Sequence, residues 1–247
     1  YQEVTGVQTC ALPISEGFEI VGLPDHGTFS EYIVLPAENV EKKPGHLNWE
    51  EAGVLSLAAL TAYRVLFTRA KIKAGDTVLI PGIGSGVGTF LLKFAKAAGA
   101  RVIVTSRSEE KQKKAIELGA DHSILTNSDW NEELKDETID IVIESIGRAT
   151  FTKSLKALRK GGTLVTFGAT TEDEIEINIR DFFYSQLNLL GSTMGSAEEF
   201  KEMLEFIAEH SITPVVDSVY PLEEYEKAMD RLKNSENLGK IAFRVSE

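Results

Sequence analysis

The stretch Asp76-Thr-Val-Leu-Ile-Pro-Gly-Ile-Gly-Ser-Gly-Val-Gly-Thr-Phe90 constrains this chain more than any other. An apolar run from Val78 to Ile80 enters it, and glycines follow at 82, 84, 86 and 88. Val87, Phe90, Leu91 and Phe94 then recur at helical spacing until Gly99 ends the pattern. A buried strand that passes through glycines into a helix suits a diphosphate. The glycines permit a tight turn and close backbone approach, and the helix start offers free N–H groups with a partial positive charge.

The rest of the chain repeats the strand–helix cadence. Arg101–Thr105, His122–Leu125, Ile139–Glu144, Thr163–Phe167 and Leu187–Thr193 read as strands. Between them lie helical stretches at 108–119, 128–135 and 149–158. Ser108 reads as the N-cap of the first, Gly119 as its stop, and Gly161-Gly162 as the stop of the last. Six strands alternating with helices predict a parallel sheet with right-handed crossovers, the Rossmann doubly wound α/β fold, with a ligand at the carboxyl ends of its strands. Ahead of it, Phe29–Leu35 alternates loosely like a strand, and 49–67 reads as one or two helices. Behind it, an amphipathic helix at 200–207 precedes strands at 215–220 and 240–245 with a helix at 222–232 between them.

With 247 residues the chain has room for one large domain or two smaller ones. A formal net charge of -12 argues against nucleic acid or an anionic membrane as partner, since both require a basic face. No run approaches a transmembrane length. The one cysteine, Cys10, cannot close an internal disulfide, and a cytoplasmic setting is the expectation. The segment Val4–Ile14 resembles one reading frame of a common DNA-sequencing adapter; an ordinary strand or coil is the other reading. On the first reading residues 1–15 are set aside, native sequence starts near Ser15 or Glu16, and the protein is truncated at its N-terminus.

The glycine spacing alone does not choose a family. A strict G-x-G-x-x-G fails, because its last position falls on Val87 or Thr89. The spacing Gly82-x-x-x-Gly86-x-Gly88 also occurs in short-chain dehydrogenases, which need Tyr-x-x-x-Lys, and no tyrosine here has lysine four places on. Segment order points elsewhere. Gly27-Thr-Phe-Ser-Glu-Tyr-Ile-Val-Leu-Pro36, Leu60-Thr-Ala-Tyr63, the turn Gly82–Gly88, Glu144-Ser-Ile-Gly147, Val165-Thr-Phe-Gly168 and Gly239-Lys-Ile241 follow one another as in the medium-chain dehydrogenase/reductases. Over nearly all of 16–247 the chain resembles that superfamily, the zinc-type alcohol dehydrogenases and quinone oxidoreductases.

The resemblance implies a Rossmann domain over 57–195 and a remnant of a β-rich, GroES-like catalytic domain over 16–56 and 196–247. It implies a small-molecule substrate, and a homodimer for the full-length protein. It assigns cofactor contacts to Thr61, Gly82, Ser85, Gly86, Val87 and Gly88, and to Ser145, Phe167, Gly168, Thr193 and Lys240. Phe167 suits core packing equally well, and Lys240 suits a surface lysine.

The tip of the second strand bears on the choice of cofactor. NAD enzymes place an acid there for the ribose hydroxyls. Here the strand ends Val104-Thr-Ser-Arg-Ser108, without one. Ser106 can donate a hydrogen bond and Arg107 a charged fork, while Lys111 resembles the family's phosphate-facing lysine, or else belongs to a solvated basic helix start. These residues predict NADPH.

Zinc is not expected. The family's helix-borne ligand stands four residues before the helix threonine, and that position is Leu57. His26, His46, His122 and His210 have no spacing that would gather them. Asp25-His26 suits an exposed active-site loop or a turn. Tyr32, Tyr63 and Tyr184 are candidate proton donors, each read in the first place as packed; no catalytic residue is assigned. The expectation is zinc-independent hydride transfer to a quinone, enone or carbonyl. The alternatives are a zinc-type alcohol dehydrogenase with its metal ligands in the missing N-terminal part, or a non-catalytic NADPH-binding protein.

Overall fold

Strands apolar along their whole length must be covered on both faces, which a parallel sheet flanked by helices provides. The computed structural model describes residues 4–7, 20–22 and 26–246. In chain order its elements are β1 (Val4–Val7), β2 (Val40–Lys42), α1 (Trp49–Gly53), α2 (Ser56–Tyr63), β3 (Thr77–Ile80), α3 (Gly86–Ala97), β4 (Arg101–Ser106) and α4 (Glu109–Glu117). There follow β5 (His122–Leu125), α5 (Trp130–Glu133), β6 (Ile139–Glu144), α6 (Arg148–Ala157), β7 (Leu158–Thr166), α7 (Ile179–Tyr184) and β8 (Asn188–Gly191). Then come α8 (Ala197–Glu209), β9 (Val216–Pro221), α9 (Tyr225–Lys233) and β10 (Lys240–Arg244). A π-helical turn, Arg64–Arg69, extends α2.

The chain divides into two units: 64–84 with 91–192, and 1–63 with 85–90 and 193–247. The first holds a six-stranded parallel sheet of order β5-β4-β3-β6-β7-β8. The order reverses between β3 and β6, and right-handed crossovers then place the two sets of helices on opposite faces. Every residue of β3 is buried. Leu79, Ile103, Val142 and Leu164 pack with Trp130 and Leu134 beside α5 and with Phe151 of α6. Their neighbours Val78, Ile80, Val102 and Val104 point to the other face, as the strand period requires.

Ser108 caps α4, its hydroxyl accepting the Lys111 N–H at 3.4 Å, and Gly119 follows the helix end, both as expected. Two expectations fail. Gly161-Gly162 does not end a helix: α6 stops at Ala157, and β7 already runs from Leu158 with the glycines inside it. A register irregularity opposite Ile139–Ile141 absorbs them. Phe29–Leu35 forms no strand, because no described strand pairs with it; Tyr32 and Val34 are 83% and 97% exposed. Most of the adapter-like segment lies outside the described residues, but Val4–Val7 forms β1, antiparallel to β2.

In the second unit α2 packs on α8, and β9 pairs in parallel with β10. Asp217 of β9 holds that pair in place. It accepts from Arg231 Nε at 2.6 Å and Nη2 at 3.1 Å, and from the Leu238 N–H at 3.0 Å. Burial alone would raise its pKa; the Arg231 guanidinium, the Leu238 N–H and the Ser218 hydroxyl outweigh burial and hold it below the ordinary carboxylate value. A depressed carboxyl pKa gives stability that is present at neutral pH and lost as the pH falls through the folded-state value. The stability gap between the wild type and Asp217→Asn, measured by urea denaturation across pH, is expected to be constant near neutrality and to close below about pH 4.

Candidate functional site

The carboxyl ends of the six parallel strands collect most of the predicted residues of the sheet unit. At the end of β3, Gly82 has φ +76°, a left-handed backbone that favours glycine. Its N–H and that of Ile83 both donate to the Thr105 carbonyl, at 3.1 and 3.0 Å, so β4 pins the turn. A Cβ on Gly82 would lie 3.0 Å from Ile146 Cδ1, so the loop after β6 closes the turn from the other side.

At the end of β4, Ser106 is buried, and its hydroxyl accepts the Ser108 N–H at 3.1 Å. Arg107 is exposed. Arg101, Arg148, Arg159, Arg231 and Arg244 each pair with a carboxylate, whereas Arg107 has no partner among the described residues. Lys111 lies in the first turn of α4, half-buried. Past β6 and β7, Ser145 and Gly168 come together: a Cβ on Gly168 would stand 3.5 Å from the Ser145 carbonyl oxygen. Phe167 is half-buried, and its N–H donates to the Glu144 carbonyl at 3.1 Å.

Beyond β8 lies a residue that the sequence reading missed. The Ser192 hydroxyl is buried and has no hydrogen-bond partner among the described residues. Its N–H donates to the Thr166 carbonyl at 2.9 Å, which continues the sheet to the strand end. Its place after a strand is legible in the sequence; its missing partner is a property of the fold. A buried orphan hydroxyl is a costly feature unless something else satisfies it.

In the other unit Ser85 acts as the N-cap of α3. Its carbonyl accepts from Thr89 at 3.1 Å and its hydroxyl from the Gly88 N–H at 2.9 Å. Gly88 therefore has no free donor, whereas the N–H groups of Gly86 and Val87 have no partner among the described residues. Lys240 of β10 lays its side chain over Gly86, where any Cβ would collide with it. Lys240 is thus not a plain surface lysine, and burial pulls its pKa below the ordinary lysine value. Thr61 is buried, its hydroxyl donating to the Leu57 carbonyl at 2.8 Å; Thr193 is exposed.

Leu57 is 50% exposed and carries no metal-ligating atom in its side chain. Among the described residues no group of three or more His, Cys, Asp or Glu is placed to hold a metal ion. The His46 ring bonds the Ile212 carbonyl at 3.0 Å, and His210 packs on Phe206. His26 is exposed, and Asp25 lies outside the described residues. Of the three tyrosines, Tyr32 and Tyr184 are exposed rather than packed, at 83% and 68%. Tyr63 is half-buried and donates to Glu202 at 3.5 Å. Burial first, then the carboxylates of Glu202, Glu199 and Glu205, push its pKa up. A cleft of about 310 Å³ along α5 and α6, lined by Trp130, Leu134, Lys153 and Lys156 among others, contains none of the predicted residues. No described helix is long and apolar enough to cross a membrane.

A parallel sheet with this strand order, whose central strand turns through glycines into a helix, defines a protein with a Rossmann dinucleotide-binding fold. Residues 86–209 match the family model described as zinc-binding dehydrogenase. The chain is 34% identical over 231 residues to a zinc-type alcohol dehydrogenase-like protein of Schizosaccharomyces pombe, covering 89% of this chain and 66% of that one. A crystal structure of an NAD-dependent alcohol dehydrogenase superposes with a TM-score of 0.89 at 35% identity, over 94% of this chain and 69% of that one. A 2-octenoyl-CoA carboxylase reductase in complex with NADP and 2-octenoyl-CoA gives 0.78 at 30%, over 84% and 52%. The chain belongs to the zinc-binding dehydrogenase family, within the medium-chain dehydrogenase/reductase superfamily, and spans about two thirds of the length of the curated relatives it matches.

Proposed function

We propose that this chain carries the cofactor domain, 57–195, and part of the GroES-like catalytic domain, 16–56 and 196–247, of an NADPH-dependent oxidoreductase. The observation that carries the reading is the tip of β4: no acid, a buried Ser106, and an exposed Arg107 without a carboxylate partner among the described residues. A 2′-phosphate needs such a place, and a carboxylate there would repel it.

Other residues fit the rest of the cofactor. The free N–H groups of Gly86 and Val87, with the Lys240 ammonium, suit a diphosphate. Ser145, Phe167, Gly168 and the orphan Ser192 hydroxyl suit the nicotinamide end; the family resemblance puts Thr61 near the nicotinamide phosphate side and Thr193 near the nicotinamide. When bound, the cofactor supplies hydride from its nicotinamide C4. The chain's own residues bind it, orient it and exclude water. The substrate class is a quinone, enone or carbonyl, and the proton that completes the product comes from water or from a catalytic-domain group.

One observation favours a second reading. The 35% identity to an NAD-dependent alcohol dehydrogenase supports NADH, and the likeness to a zinc-type alcohol dehydrogenase-like protein supports a zinc-assisted alcohol reaction. Fluorescence titration separates the two. NADPH is expected to bind at least about tenfold more tightly than NADH, with the preference lost in Arg107→Asp, a charge-assisted contact being worth roughly 1.5–3 kcal/mol. Equal affinity of the wild type for both cofactors would favour the second reading. Elemental analysis of the purified protein is expected to find no zinc; one zinc per chain would overturn the zinc-independent mechanism.

We further propose that the full-length protein is a homodimer joined along β8. This strand is the sheet edge, where the Gly191 carbonyl accepts from Arg69 Nε at 2.8 Å; Leu189 on it is 38% exposed, and Ile179, Phe183 and Tyr184 of the preceding α7 are exposed as well. Light scattering should give twice the chain mass for the wild type and the monomer mass for Leu189→Lys; a monomeric wild type would refute the proposal.

A further inference from the structure

Glu144, the last residue of β6, has no exposed surface at all. A buried carboxylate needs either a cation or a full set of donors. Among the described residues no lysine or arginine pairs with it; four donors do. The Ile146 N–H donates to Oε1 at 2.7 Å and the Gly147 N–H to the same atom at 3.3 Å. The Thr150 hydroxyl lies 3.0 and 2.9 Å from the two oxygens, and the Ser154 hydroxyl 2.6 Å from Oε2. Gly147 stands at the N-cap of α6 and has no side chain to cap with. Glu144 instead takes the Gly147 N–H and the Thr150 and Ser154 hydroxyls from the preceding strand, at the positive end of the helix, while the Arg148 and Ala149 N–H groups go to the Glu172 carbonyl at 3.1 Å and the Thr171 hydroxyl at 3.4 Å.

Its reach does not end with α6. The loop it anchors is also clamped by the segment after β7. The Ser145 carbonyl accepts from the Thr170 N–H at 3.1 Å and hydroxyl at 2.8 Å, and the Ile146 carbonyl from the Thr171 N–H at 2.8 Å and hydroxyl at 2.7 Å. Held on both sides, Ile146 presents Cδ1 to Gly82, the first glycine after β3. This contact spans the gap between β3 and β6, where the strand order reverses and a ligand crevice opens.

We infer that Glu144 is a positioning residue for the glycine turn: it fixes Ile146 against Gly82 and sets Ser145, so that the turn is already shaped for a dinucleotide before one binds. The identity of that ligand rests on the function proposed above; the coupling from Glu144 to Gly82 does not.

The test compares Glu144→Gln, Ile146→Ala and the double variant of the full chain. NMR-detected hydrogen exchange without cofactor reads the Gly82 and Ile83 amides, which Thr105 holds in the wild type. Exchange at both is expected to rise about tenfold or more in each single variant and no further in the double variant, since both act through one contact. NADPH titration should show a dissociation constant raised about tenfold in each single variant and again no further in the double. Ile146→Ala leaves the bonds between Glu144 and α6 intact, so it remains informative if Glu144→Gln does not fold. Faster exchange confined to α6, or additive effects in the double variant, would reduce Glu144 to an anchor of α6 and overturn the inference. So would Gly82 exchange left unchanged by Ile146→Ala, or NADPH binding unaltered in folded variants. A wild type that binds no NADPH, together with the coupled exchange effect, would overturn the proposed function and leave the coupling standing.

Discussion

β3 is hydrogen-bonded on both sides and buried at every residue, and most of the fold answers to that constraint. A strand in that position can leave the sheet only through the space its two neighbours leave at its end. β4 takes the first step by offering the Thr105 carbonyl to two successive N–H groups of the turn. The loop after β6 takes the second with Ile146. The turn is therefore shaped by long-range contacts as much as by its own glycines. That is why Gly82, with its left-handed backbone and a side chain packed against it, is confined more tightly than the exposed Ser85.

The sheet was legible in the sequence because its signals are local. Short β-branched runs, separated by segments of helical period, specify buried parallel strands and crossover helices with no knowledge of neighbours. Ser108 and Gly119 marked the ends of α4 for the same reason, since a cap acts within one turn. The misreadings are non-local. Phe29–Leu35 alternates as a strand should, but a strand exists only when another pairs with it. Gly161-Gly162 reads as a helix stop, but its setting is a register irregularity between two strands, which depends on β6.

Legibility of the candidate site divides in the same way. The absence of an acid after β4 is a property of the chain, and it can be read from Thr105-Ser-Arg107. That Arg107 is exposed and unpaired among the described residues while five other arginines sit on carboxylates is a property of the fold. Lys240 looked like a surface lysine until β10 laid it across Gly86, more than 150 residues earlier in the chain. What sets Ser192 and Glu144 apart lies in the fold, because one lacks a hydrogen-bond partner among the described residues and the other has four.

Gly86 also changes what a glycine-rich motif means. Its missing side chain is usually ascribed to close approach of a phosphate. Here a lysine stem already fills the place of the Cβ. The glycine thus lets a cation lie across the start of α3, beside N–H groups that have no partner among the described residues. Burial weakens that cation's hold on its proton, a cost that a bound anion would offset. A chain of net charge -12 repels polyanions at long range, so attraction has to be local and desolvated. Lys240 suits that requirement, since burial desolvates it and no described carboxylate pairs with it.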